Sequence, residues 1–506
     1  MTSAELNLMP ALPEILLLVT ACIVLLAESL KRPSRAEHDA AEAAAAAPGA
    51  GAGGGMGLAL LALVPSVIAT LMQLSEDQRV FAFGGMYVAD AMAHLLKLVA
   101  YGATALTLVY ASGYNAVRSV QRAEFQALAL FSLLGVMVMI SANNLLVVYL
   151  GLELMTLSLY ALVALRRDHA VSTEAAMKYF VLGALSSGFL LYGMSMLYGA
   201  TGSLDIPQIA NTVAASANRT ALVFGVVFIV SGLAFKFSAV PFHMWAPDVY
   251  EGAPTGATLL IAAAPKLATF AVSFRMLVEG LSAVAVDWQQ MLMVLAIASL
   301  ALGNFVGIMQ TNLKRLLAYS TISQIGFVLL ALSVGVVDGQ VQVDAAYGSA
   351  LFYVVTYVVT TVAGFGALLL LSRAGFESDR IDDLKGLSQR APWLSLVLLV
   401  SMFSLAGVPP AVGFYAKLMV LGAVVGAGHV WIAVAAVLLS VVGAYYYLRI
   451  VKLMYFDAPV QTATLDAGQG ARALLGLNGA AVLLLGILPG PLMAACIAAV
   501  RQALGA

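Results

Sequence analysis

Three lysines interrupt long apolar stretches of this chain: Lys236 in GLAFKFSAVPFHMW, Lys266 in LLIAAAPKLATFAV and Lys417 in SLAGVPPAVGFYAKLMVL. A cation at membrane depth costs at least ~2.5 to 3.5 kcal/mol on insertion scales, so such residues persist where a bundle uses them. Glu153, in YLGLELMTLSLY, is the one carboxylate deep in the fifth apolar segment. At ~7 Å and an effective dielectric of ~20, charges on Glu153 and Lys236 would interact by about 2.4 kcal/mol. Moving such a pair together or apart changes the proton affinity of the amine about a hundredfold, enough to switch it between loading and releasing. The chemistry that suits Glu153, Lys236, Lys266 and Lys417 is proton transfer.

Plainer roles stand beside that one. Glu153 alone could be a protonated, hydrogen-bonded core residue. Lys417 could stabilise carbonyls freed by a broken helix. Lys266 could snorkel, although about ten residues separate it from either end of its segment, beyond easy reach of the headgroups. His243, in PFHMW, either relays protons or hydrogen-bonds a freed carbonyl. Lys178, in AAMKYF, reads as an interface or snorkelling lysine that could modulate Glu153. Asp90, His94 and Lys97 share one helix face and read as a seam of side chains that satisfy one another.

These residues need a membrane around them. With 506 residues, 62% of them hydrophobic and 10% charged, and a mean hydropathy of +0.96, the chain is too apolar for a soluble globule, whose apolar share is about 45 to 50%. Alternation of the β-barrel kind is absent, so the expected fold is an all-α membrane protein. A net charge of −1 gives no reason to expect nucleic acid. The N-terminus has no basic n-region or cleavage site, so the first helix is expected to stay. Cys22 and Cys496 read as small buried hydrophobes. No P-loop, dinucleotide fingerprint, zinc-protease motif or cysteine cluster is present.

Cutting the apolar runs at charged or Gly/Pro/Asn-rich loops gives about 14 helices, near 10–30, 57–75, 88–110, 124–141, 144–165, 173–199, 219–240, 254–278, 288–310, 316–336, 345–372, 392–424, 429–455 and 471–499. Basic residues favour the odd loops: Lys31, Arg32 and Arg35; Arg118 and Arg122; Arg166 and Arg167; Lys314 and Arg315; Arg373, Arg380, Lys385 and Arg390. The positive-inside rule then puts those loops in the cytoplasm and both termini outside. Pro241 and Pro247 are expected to stop the seventh helix after Lys236, and Pro409 and Pro410, with Gly407 and Gly413, to break the twelfth before Lys417. Broken helices beside ionisable residues offer carbonyls and dipole ends to an ion or water inside the membrane. The breaks lie five helices apart, an odd number, so blocks 124–278 (helices 4–8) and 288–455 (helices 9–13) would be two inverted five-helix repeats, each with a broken helix. They would stand between an N-terminal region, 1–123, and a last helix, 456–506. Gly183 and Ser187 read as a packing face, and the Ala/Gly-rich stretch 33–57 as a loop without a packed role.

At this point the motifs resemble a family. FKFSAVPFHMWAPDVYEGAPT followed by APKLATF, together with MKYFVLGALSSGFLLYGMSMLYGATG, NLKRLLAYSTISQIGF and SLAGVPPAVGFYAKL, resembles the antiporter-like membrane subunits of respiratory complex I over about residues 80–460. The PDVYEGAPT form is similar to the subunit N branch of that family, as are a lysine at 417 and an end after helix 14 with no long lateral helix. The resemblance implies that Glu153, Lys236, Lys266 and Lys417 carry protons in a NADH:quinone oxidoreductase of a bacterial inner membrane. It implies no cofactor in this chain, with NADH, FMN, iron–sulfur clusters and quinone elsewhere in the complex. The implied partners are other membrane and peripheral subunits, antiporter-like siblings among them, and the lipid bilayer. A subunit of a stand-alone cation/proton antiporter is the alternative reading. One departure is Gln324, where the family pattern has histidine, which leaves helix ten without a titratable relay there.

Overall fold

The computed structural model describes residues 7–30, 54–76, 78–117, 122–216, 218–337, 339–372, 377–459 and 468–505. Most of the Ala/Gly-rich stretch expected over 33–57 lies outside them, as do Lys31, Arg32, Arg35, Arg118 and Arg373 of the basic loops.

Six helices come first: α1 (Leu12–Leu30), α2 (Gly54–Ser75), α3 (Ala91–Val117), α4 (Arg122–Ile140), α5 (Leu145–Val163) and α6 (Ala170–Thr201). The seventh span, α7 (Arg219–Phe237), stops four residues before Pro241, where Ser238 takes φ +66° and its amide donates to the Ala234 and Phe235 carbonyls. The chain resumes as α8 (Trp245–Gly252). Pro247 therefore stops nothing. It sits in the first turn of α8, where a backbone N–H has no intrahelical partner to lose.

The eighth span, expected as one helix, is divided. α9 (Thr255–Ala262) and α10 (Ala264–Ser273) meet at Ala263 (φ −107°, ψ −91°), two residues before Pro265, because a proline ring clashes with the carbonyl one turn back. Then come α11 (Ala285–Ile308), α12 (Leu313–Ser333) and α13 (Ser349–Leu371). The twelfth span is two half-helices of 15 residues each, α14 (Pro392–Ala406) and α15 (Val412–Gly426), each only ~22 Å long and unable to cross alone. After α16 (Val430–Phe456), the last expected helix also proves to be two, α17 (Gln469–Ile487) and α18 (Gly490–Leu504), parted at Leu488 and Pro489. This last break packs on that of the twelfth span: a Cβ at Gly486 would stand 2.1 Å from the Pro410 carbonyl oxygen. Among the described residues 13 helices are long and apolar enough to cross a membrane, and α14 and α15 are apolar half-helices beside them.

The spans Thr255–Glu279 and Leu313–Ser333 are buried on every side, and Val343–Leu371 nearly so. A polar side chain on one of these therefore meets protein rather than lipid. Glycines let the surrounding helices close in. A Cβ at Gly135 would come within 2.4 Å of the Met155 amide nitrogen on α5, and one at Gly193 within 2.8 Å of the Gly225 carbonyl on α7. The described ends of the chain lie together at one end of the bundle, where Gln73 donates to the Met9 carbonyl and Arg79 to that of Ala503.

Candidate functional site

The last carbonyls of a helix have no N–H partner within it, and at the end of α7 a lysine from another span takes that place. Lys266, in the first turn of α10, donates to the carbonyls of Lys236 (3.0 Å) and Phe237 (3.2 Å) and to Ser238 Oγ (3.0 Å). Three acceptors match the three donors of an ammonium. Lys236 turns the other way, donating to Ser187 Oγ on α6 at 3.3 Å. Both lysines line a cavity of about 10 Å³ together with Thr156, Tyr179, Trp245 and Thr269, room for about one water molecule. Trp245 walls it, stacked on Tyr179 (4.6 Å) and Phe235 (5.5 Å) with its ring N–H on the Phe235 carbonyl.

Glu153 is half-buried on α5, and one of its carboxylate oxygens is buried with no hydrogen-bond partner. No ion pair joins it to Lys236 among the described residues, yet the two charges interact. His243 lies in the link between α7 and α8, half-buried, with Nδ1 buried and unpartnered.

At the second break Lys417 repeats the capping geometry. Its Nζ donates to the Leu405 (2.8 Å) and Ala406 (3.0 Å) carbonyls at the end of α14 and to Ser440 Oγ on α16 (3.0 Å). Gly407 terminates α14 at φ +85°, and a Cβ there would meet Lys417 Cδ at 2.9 Å. The Leu405 carbonyl also accepts from Gln324 Nε2 (2.8 Å). The same amide donates to Tyr447 OH (3.1 Å) and accepts from Tyr353 OH (2.5 Å), and Tyr447 OH shares a bond with Ser320. Gln324 is thus the hub of a hydroxyl network that ends on the carbonyl capped by Lys417.

Several expectations change. Ser187, read as a packing residue, is the hydrogen-bond partner of Lys236. Lys178 pairs with Glu174 (2.7 Å) and Asp248 (2.7 Å), an arrangement that ties it to α8 rather than to Glu153. Asp90, His94 and Lys97 do not satisfy one another. Asp90 binds Arg275, Lys97 binds Glu14 and Tyr87, and His94 Nδ1 is buried without a partner. No spacing along α3 could show this, because the partners come from α1 and the end of the eighth span.

The PDVYEGAPT motif is the clasp between the halves of the chain. Asp248 binds Arg315 at 2.6 Å as well as Lys178, Glu251 binds Arg315 at 3.1 Å, and the Gly252 and Ala253 carbonyls accept from Ser172 and Lys314. Burial pushes the Asp248 carboxyl upward, but hydrogen bonds from Lys178 and Arg315 outweigh it and hold the group below its ordinary range. Among the described residues no group of three His, Cys, Asp or Glu could hold a metal ion.

Residues 142–443 match the family model for NADH:quinone oxidoreductase/Mrp antiporter membrane proteins. NADH-quinone oxidoreductase subunit N of Herminiimonas arsenicoxydans is 54% identical over 506 residues, covering 99% of each chain. The chain belongs to the NADH-quinone oxidoreductase subunit N family. The subunit N of Nitrosomonas europaea, 50% identical, covers 98% of both chains. Among solved structures, a chain of respiratory complex I from Thermus thermophilus superposes with TM-score 0.78 at 31% identity, over 96% of this chain and 100% of that one. A chain of the Mrp complex from Dietzia shares the fold, with TM-score 0.80 at 20% identity over 99% of this chain and 98% of that one. Family membership makes this an antiporter-like, multi-span membrane subunit of an enzyme complex, NADH-quinone oxidoreductase.

Proposed function

We propose that the chain carries protons across the membrane, with Glu153, Lys236, Lys266 and Lys417 as the transferring groups and quinone reduction elsewhere in complex I as the energy source. The observation that carries this reading is the repeated arrangement of a buried lysine on the open carbonyl end of a half-helix, Lys266 at one break and Lys417 at the other. An amine so placed keeps hydrogen-bond acceptors in either protonation state, and the small cavity beside Lys236 gives a water somewhere to stand.

In this reading Glu153 approaches Lys236 when the complex is driven, raising the amine's hold on a proton, and withdraws to let it go. The proton passes to Lys266 and then to Lys417. His243 is a candidate relay through its unpartnered Nδ1. Odd-numbered loops face the cytoplasm and the described ends of the chain face outward, following the positive-inside rule. The blocks 124–278 and 288–455 act as inverted repeats, and sibling antiporter-like subunits pack alongside. Identity of 54% to a subunit N against 20% to the Mrp chain favours this over a stand-alone antiporter.

The test is NADH-driven proton uptake by membrane vesicles carrying Glu153→Gln, with the amount of assembled complex measured separately. Impaired pumping in assembled complex is expected. Near-normal pumping would remove the carboxylate from the mechanism.

A further inference from the structure

Two buried amines among the described residues lie outside the four-residue path, and one of them, Lys97, is paired with Glu14. The other, Lys314, at the start of α12, is 6% exposed, and its Nζ donates to the Ala253 carbonyl at 2.9 Å. Among the described residues no carboxylate forms an ion pair with it, although it lies amid several. Asp248 and Glu251 bind Arg315, Glu377 binds Arg166 and Tyr114, and Asp379 accepts from the Asn312 amide. Lys266 and Lys417 each show three acceptors; Lys314 shows one.

A hydroxyl near it points to water. Thr255 Oγ1, two residues beyond Ala253, is buried without a hydrogen-bond partner. Leaving such an atom dry is unfavourable, and ordered water supplies the missing partner. Tyr250 faces Thr321, which lies two turns along α12 from Lys314 on nearly the same side. Thr321 Oγ1 accepts from Tyr357 OH at 2.9 Å. One turn further stands Gln324, whose amide shares the Leu405 carbonyl with Lys417.

We propose that Lys314 is a proton-loading site at the mouth of a second inlet, which feeds Lys417 along α12 without passing Glu153 or Lys236. This rests on the proton-carrying role and the loop orientation given above. The neutral amine of Lys314 takes a proton from water at the loop end and becomes an ammonium. It gives that proton to water beside Thr255 and Tyr250. Each hydroxyl or water in the row accepts one proton and releases another while the Gln324 amide keeps its own, so that one positive charge moves and water hands it to the neutral amine of Lys417.

Vesicles carrying the whole complex with Lys314→Arg or Lys314→Gln test this. Arginine keeps the charge and the donor but does not give up its proton. Both variants are expected to lower NADH-driven pumping by on the order of tenfold or more in assembled complex. Near-normal pumping by Lys314→Arg would show a structural cation and overturn the inlet. If neither variant assembles, Thr321→Val decides, since slowed pumping upholds the row and unchanged pumping overturns it. Impaired Glu153→Gln beside a normal Lys314→Arg sinks the inlet alone, whereas normal pumping by both Glu153→Gln and Lys236→Ala sinks the broader reading.

Discussion

The two broken spans solve one problem with different parts. At the end of α7 the open carbonyls are held by Lys266, a residue of the next span, which leaves Lys236 on the broken helix itself to face Ser187 and the small cavity. At the end of α14 they are held by Lys417 from the second half of the same broken span, reinforced by Gln324 from α12. The first break therefore has an amine to spare and a place for water. The second has a single amine wired into side-chain hydroxyls. The counterpart of Lys417 is thus Lys266, although Lys236 stands beside a break in sequence as Lys417 does. Capping fixes where an amine sits; in the proposed mechanism the spare amine, Lys236, is the one that answers Glu153.

That difference can be attacked from several sides. The largest effect is expected from Lys417→Ala, which removes the one amine of the second break and should cut NADH-driven pumping by on the order of a hundredfold in assembled complex. Lys417→Arg sharpens it, since a guanidinium can cap the carbonyls without releasing a proton, so restored stability with pumping still lost would separate capping from carrying. Next comes Lys266→Met, which strips donors from two carbonyls and a hydroxyl. At about 1 to 3 kcal/mol for each buried acceptor left unpaired, it should lower the thermal stability of the complex clearly more than Lys236→Met, which unpairs only Ser187. Equal losses would erase the assigned difference between the two lysines.

Gly407→Ala should cost more than the ~1 to 2 kcal/mol of placing a side chain in the left-handed region, because its Cβ would also press on Lys417. Ser238 already tolerates φ +66° at the first break, so Ser238→Gly, which relieves that strain while removing one of three acceptors from Lys266, should be milder. Thermal inactivation of the two variants gives the comparison. The smallest effect concerns the clasp. The Asp248 carboxyl is held below its ordinary range, so its contribution is complete above the unfolded-state value near ~3.9 and is lost as pH falls through the depressed folded value. The stability gap between the parent and Asp248→Asn should stay constant near neutrality and narrow only in strong acid. A gap that closed by pH ~6 would mean that the clasp does not depend on this carboxylate.

Much of the fold could be read along the chain because membrane spans are local objects. Each needs about 20 apolar residues and satisfies its own backbone, so runs such as 144–165 and 429–455 announced α5 and α16 almost to the residue. Prolines announced that spans seven and twelve break, but not the manner, since Pro247 begins α8 instead of ending α7. The breaks inside the eighth and fourteenth spans were missed although Pro265 and Pro489 stand at them. A proline within an apolar run is compatible with a kink, a restart or an unbroken span, and only the packing around it selects one.

The sequence by itself determined which residues carry charge into the membrane, because the cost of burying an amine or a carboxylate makes each one conspicuous wherever it stands. Tertiary structure alone decided what each charge meets. Lys266 reaches back to the carbonyls of Lys236 and Phe237, Ser187 receives Lys236, Gln324 joins Tyr353, Tyr447 and Leu405, and Lys314 turns inward while Arg315 beside it turns to Asp248. Hydrogen bonds form over about 3 Å between groups tens or hundreds of residues apart, and no spacing along one helix encodes which neighbour lies across the gap.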